Sequence, residues 1–189
     1  MTLLIAGLIV FLGVHSIAIV APGVRERART GLGGGPWKAL YAVVSLIGFV
    51  MIVEGFGLAR QSSMVLYTPP PWLRHVTFLF MLPVFPLLFA AYLPGRIKTA
   101  MKHPMLVAVK CWAFGHLLAN GLLADVLLFG GFLAWTVLDR ISLKHRPQSL
   151  RTAPAGRFND AIAVVLGLAV YGLFIAWAHL RLFGVSPLG

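Results

Sequence analysis

Four of the chain's six histidines, His15, His75, His103 and His116, fall in or at the edge of long apolar runs. A charged group near the centre of a membrane helix costs about 2.5 to 3.5 kcal/mol on insertion scales, so an ionisable residue at that depth poses a functional question. Neutral imidazole avoids the charge and keeps a nitrogen lone pair. Two of them, from different helices, can ligate a haem iron in the core of a bundle. His15 and His116 suit that chemistry best. At 100° per residue, His15 shares a face with Leu8, Phe11, Leu12 and Ile19, and His116 with Val109, Trp112, Ala113 and Asn120. A flat macrocycle needs apolar and aromatic walls of this kind, and Gly13 and Gly115 could admit its close approach. A second reading stands beside this one, because a buried histidine is more often a hydrogen-bonded contact between helices. The expected spans also put the two histidines at depths that differ by roughly 10 Å, which helix tilt would have to absorb.

The remaining polar residues point elsewhere. His103 precedes His116 by about 20 Å of helix, too far to share a metal. It stands directly before Pro104, as a cap or interfacial residue at a helix start would. Lys110 could meet a haem propionate, but snorkelling toward the membrane surface is the reading favoured for it. Cys111, the single cysteine, lies about 140° around the helix from His116 and reads as a small buried hydrophobe. Glu54 and Asp125 fall near the outer ends of their runs, where Arg60, Arg74 or His75 could pair with them. His145 and His179 read as solvated or interfacial, and Ser16 lacks the carboxylate arrangement of a hydrolase triad.

The elements that must position these residues are membrane helices. Of 189 residues, 59% are hydrophobic and 11% charged, and the mean hydropathy is +0.90, which indicates an integral membrane protein. The fold class is all-α, a single bundle over 1–189 with about six transmembrane helices at 3–20, 39–58, 72–93, 105–118, 122–138 and 161–182. The first run lacks a basic leader and reads as a retained helix. Pro83 and Pro86 should kink the third run. Only Ala119, Asn120 and Gly121 separate the fourth and fifth, which predicts a tight helical hairpin. The glycine run at 31–35 follows an arginine-rich linker rather than a strand, so a flexible loop is expected there and not a dinucleotide site.

The formal charge of +11 does not indicate a nucleic-acid partner, because the 16 Lys and Arg residues, all but Lys110, are spread over the connections between runs and their edges. Arg25, Arg27, Arg29 and Lys38 lie in the first connection, Arg96, Lys98 and Lys102 in the third, and Arg140, Lys144, Arg146, Arg151 and Arg157 in the fifth. Only Arg60, Arg74 and Arg181 fall on the opposite side, which predicts both termini outside and the odd connections in the cytoplasm.

The segments FLGVHS (11–16), LYTPPPWLRH (66–75), PGRIK (94–98) and HPMLVAVKCWAFGHLLANG (103–121), followed by LLFGGFLAW, resemble the NnrU family of bacterial membrane proteins. The likeness runs from the start to about Arg140, and its most specific part is the HP…W…H..ANG block. It implies a bacterial inner-membrane location and a link to expression or activity of nitrite and nitric oxide reductases. The family is also similar to zeta-carotene isomerase, a membrane enzyme whose haem b, bound by two histidines, serves cis-trans isomerisation of a carotenoid. Carried over by motif, the isomerase histidines fall on His15, His103 and His116, and the implied axial ligands are His15 and His116. His103, Trp112, Asn120 and Asp125 would support the site. The isomerase has a cysteine three residues before the second ligand, where this chain has Ala113, so ligand switching by cysteine is not implied. Two functions follow from the resemblance: a haem-dependent, redox-gated isomerase of a carotenoid-like polyene delivered from the lipid bilayer, or a non-enzymatic accessory protein that assists the denitrification reductases.

Overall fold

In hydrocarbon every backbone N–H and C=O must be satisfied within its own segment, so runs of this composition have little choice but helix. A computed structural model describes residues 1–146 and 152–188, and all six apolar runs are helical in it. The helices are α1 (Thr2–Val20), α2 (Pro22–Leu32), α3 (Gly34–Arg60), α4 (Leu73–Met81), α5 (Val84–Tyr92), α6 (Arg96–Met101), α7 (Pro104–Ala119), α8 (Leu123–Ser142), α9 (Asn159–Leu173) and α10 (His179–Phe183). A π-helical turn, Phe174–Ala178, joins the last two. Among the described residues, α1, α3, the α4–α5 pair and α9 through α10 are long and apolar enough to cross a bilayer. The shorter α7 is also apolar, and α8 carries Asp125, Asp139 and Arg140. The protein is an all-α membrane bundle. Ile9, Leu46, Leu79 and Val165 each expose more than half of their surface, as lipid-facing side chains do.

The chain forms two compact units. The first comprises Met1–Thr68 and Gly121–Ser142, and the second Pro69–Asn120 and Leu143–Gly189. Within the first, α1 packs along α3, with α8 against both. The α1–α3 crossing is set by glycines. A Cβ on Gly48 would stand 2.8 Å from the Phe11 nitrogen, one on Gly7 2.7 Å from the Ile52 nitrogen, and one on Gly55 would meet the backbone of Leu4. Small residues let two membrane helices approach backbone to backbone, where dispersion takes over from a hydrophobic effect that lipid does not supply.

The arginine-rich linker is itself helical. α2 begins with Pro22 in its first turn and exposes Arg25, Arg27 and Arg29, with Glu26 3.6 Å from Arg29. The expected flexible loop at 31–35 shrinks to Gly33, whose φ of 84° turns the chain, while Gly34 and Gly35 already belong to α3. The fourth and fifth runs are not closed by a simple hairpin turn either. Asn120 is extended, and the Gly121 carbonyl accepts from Leu66 N (2.8 Å) and Tyr67 N (3.2 Å). Leu123 N in turn donates to the Met64 carbonyl (2.9 Å), so the 64–67 segment satisfies the backbone that a hairpin turn would have had to satisfy itself.

In the second unit α5 packs on α7 and α9, and α4 on α7. The expected kink is a break. α4 ends at Met81 and α5 begins after Pro83, which has no N–H to continue the ladder. Val84, Leu87 and Ala108 form the core here, with Cys111 and Trp112 packed against them, so Cys111 is the half-buried hydrophobe its wheel position suggested.

Candidate functional site

His15 sits on the fourth turn of α1, where its Nδ1 lies 2.6 Å from the Phe11 carbonyl one turn earlier. A carbonyl can only accept, so Nδ1 carries the proton, and in the neutral imidazole Nε2 keeps the lone pair. Three aromatic rings from three helices surround the imidazole. Phe11 of α1 stacks on it with centroids 4.2 Å apart. Tyr41 of α3 meets it edge-on at 5.3 Å, and Trp135 of α8 at 6.0 Å and 89°. Trp135 is held in that pose by its indole N–H, which donates to the Ser16 hydroxyl at 3.1 Å. Ser16 is therefore a positioning residue for the wall beside His15. The buried Asp139, one turn past Trp135, acts electrostatically on both His15 and Tyr41.

His116 repeats the local device in the second unit. Its Nδ1 lies 2.8 Å from the Trp112 carbonyl, again one turn earlier, and the Trp112 ring is 5.5 Å from the imidazole. Its lone pair is therefore also on Nε2. Asn120 donates its side-chain amide to the His116 carbonyl at 2.8 Å, so it caps the end of α7. Thr77 of α4 donates to the Gly115 carbonyl at 2.8 Å. A Cβ on Gly115 would stand 2.8 Å from Met81 Cε and 3.0 Å from Phe80 Cβ. Gly115 is thus spent on the contact with α4 and leaves no room for a macrocycle on that side. Gly13 has nothing within 4 Å of its Cβ position and stays open.

His116, Trp112 and Asn120 therefore stand together on the last two turns of α7. His103 is the residue before the first turn of the same helix, with Pro104 at its start, which is the expected helix-start position. Asp125 is 2% exposed at the beginning of α8, where its Oδ2 accepts from Leu122 N at 3.0 Å. Its Oδ1 has no hydrogen-bond partner among the described residues. Trp135, which touches His15, is ten residues further along α8, about 15 Å. Neither Glu54 nor Asp125 forms an ion pair among the described residues; Arg60 instead lies over the Phe56 ring at 5.6 Å. Outside the spans, partial burial first and the Asp125 charge second raise the Tyr67 phenol above its ordinary pKa.

A family model described as NnrU protein matches residues 3–187, nearly the whole chain. The chain belongs to the NnrU family. The match extends through α9 and α10, beyond the stretch that carried the sequence likeness. No curated protein and no solved structure matches the chain.

Sequence reasoning placed both NnrU histidines on aromatic faces but missed Tyr41, Trp135 and Asp139. Their contribution depends on how α3 and α8 pack on α1, which no spacing within one helix encodes. An apolar groove of about 490 Å³ between α1 and α3 runs past Gly13, Trp37 and Tyr41, so Tyr41 touches both the groove and the His15 ring.

Proposed function

We propose that this NnrU-family chain is a haem b-binding membrane protein, and that Nε2 of His15 and Nε2 of His116 are the nitrogens that would hold the iron. The observation that carries the proposal is the shared device: each imidazole gives its Nδ1 proton to the carbonyl one turn back, at 2.6 and 2.8 Å. That bond fixes the tautomer, orients the ring and raises the basicity of Nε2, as the outer hydrogen bond of a metal-ligating histidine does. The donor set fits the group as well. Among the described residues no three His, Cys, Asp or Glu side chains come together as a site for a bare ion, so iron held by two imidazoles would need a macrocycle to complete its coordination. Bound haem b would supply an iron able to change oxidation state and to act as a Lewis acid. Phe11, Tyr41 and Trp135 wall the His15 ring, and the Trp112 ring lies beside His116. Trp112 and Asn120 would support the second ligand, with His103 and Asp125 further along their helices.

Purification of the full chain in mild detergent tests this directly. A Soret band that disappears in the His15→Ala, His116→Ala double variant is the expected result. A wild type without Soret absorbance, or a double variant with an unchanged spectrum, would overturn it.

A polyene isomerase is the enzymatic form of this reading, and the groove between α1 and α3 supports it, since a long apolar substrate could enter from lipid and reach Tyr41 beside His15. Carotenoid isomers extracted from a reconstituted host should shift toward the trans form when the chain is present. Unchanged isomer ratios would instead favour an accessory role toward nitrite and nitric oxide reductases. In either role the distribution of basic residues supports both termini lying outside the inner membrane.

A further inference from the structure

A cleft of about 800 Å³ in the second unit is lined by Pro94, Gly95, Arg96, Thr99, Gly156 and Arg157, among others. Its two walls are the turn after α5 and the loop before α9, and two polar side chains, Asn159 and Asp160, fasten them together. Asn159, 7% exposed, donates its amide to the carbonyls of both Pro94 (2.9 Å) and Pro154 (3.0 Å). Ala153 N donates to the Tyr92 carbonyl at 2.9 Å. Asp160 accepts from Arg96 N (2.8 Å) and Ile97 N (3.1 Å), one through each oxygen. The segments that carry Arg96 and Arg157 are thus held in fixed register.

The charge balance of this cleft is one-sided. Asp160 is the only Asp or Glu anywhere in 69–120 and 143–189, and both of its oxygens are committed to backbone. Among the described residues neither guanidinium has an ion pair. Arg157 is steadied instead by Phe158, its Cζ lying 4.6 Å from the ring centroid. Phe158 is 59% exposed and Tyr92, on the other wall, 49%. Both stand where an apolar span meets a polar turn, the position of interfacial aromatic anchors.

We propose that this cleft binds the phosphodiester headgroup of an anionic phospholipid, with Arg96 and Arg157 on the phosphate and Phe158 and Tyr92 against the upper acyl chain. Arginine forks match phosphate oxygens in geometry as well as charge, and basic pockets at the ends of membrane helices hold such headgroups. A free phosphate would engage the arginines alone and would gain nothing from the exposed aromatics. The proposal is independent of haem binding.

The test uses the full chain, delipidated in neutral detergent and followed by native mass spectrometry. It is titrated with short-chain phosphatidylglycerol, short-chain phosphatidylcholine and inorganic phosphate. Phosphatidylglycerol should bind at least about tenfold tighter than phosphatidylcholine, and inorganic phosphate at equal concentration should not displace it. That preference should vanish in R96Q/R157Q and persist in R27Q/R29Q, which removes the same charge from α2. The proposal is overturned by equal binding of the two lipids, by a preference that survives in R96Q/R157Q, or by displacement with inorganic phosphate, which would mark a free-anion site. Equal binding of the two lipids by the wild type would overturn the proposal whatever the variants' yield.

Discussion

The ring of His15 is boxed by aromatic side chains from three helices, whereas around His116 the helix backbone itself is pinned by hydrogen bonds. In the first unit, α3 and α8 bring Tyr41 and Trp135 to a histidine that α1 presents. In the second, Thr77 holds the Gly115 carbonyl and Asn120 the His116 carbonyl, so the backbone on either side of the imidazole is fixed. Two routes thus position an imidazole whose Nδ1 donates to the carbonyl one turn back. The first route depends on helices meeting closely, and the second on one helix keeping its register. They should fail under different substitutions.

The largest effect is expected from Gly55→Leu, because its new side chain would meet the backbone of Leu4, which cannot move aside. A loss of about 3 kcal/mol or more, beyond the usual range for overpacking, should appear as early thermal unfolding in detergent. Gly115→Leu should do less, about 1–3 kcal/mol, since what it meets on α4 includes the flexible end of Met81. Equal losses at the two sites would contradict the contrast between backbone and side-chain contacts. Thr77→Val removes one buried interhelical hydrogen bond and should cost about 1 kcal/mol in the same assay. Smallest is Trp135→Phe. It keeps an aromatic ring beside His15 but loses the bond to Ser16, and should shift stability by about 0.5 kcal/mol, less than Thr77→Val. A drop larger than that of Thr77→Val would mean that the indole N–H, and not the aromatic box, holds His15.

The spans were legible because lipid forces long apolar runs into helix, and the His-Pro start of α7 and the break at Pro83 followed from proline's missing donor. Both histidines were legible as polar groups on aromatic faces. Gly115 was misjudged because a glycine beside a candidate ligand looks the same whether it admits a cofactor or a neighbouring helix, and only α4 decides. The helical linker at 22–32 was hidden by its charge, and the pairing of Gly121 with Leu66 and Tyr67 by its separation in sequence. The roles of Asn159 and Asp160 were hidden in the same way, since their partners Pro94, Arg96 and Ile97 lie more than sixty residues away.

Electron paramagnetic resonance of the oxidised, purified chain is the measurement that bears on His15 and His116 as the proposed haem ligands. Two imidazole ligands predict a low-spin ferric signal in the wild type. His15→Ala and His116→Ala, made separately, should each convert it to high spin, with low spin restored by added imidazole. A wild type without haem, or a low-spin signal that survives either substitution, would contradict the account.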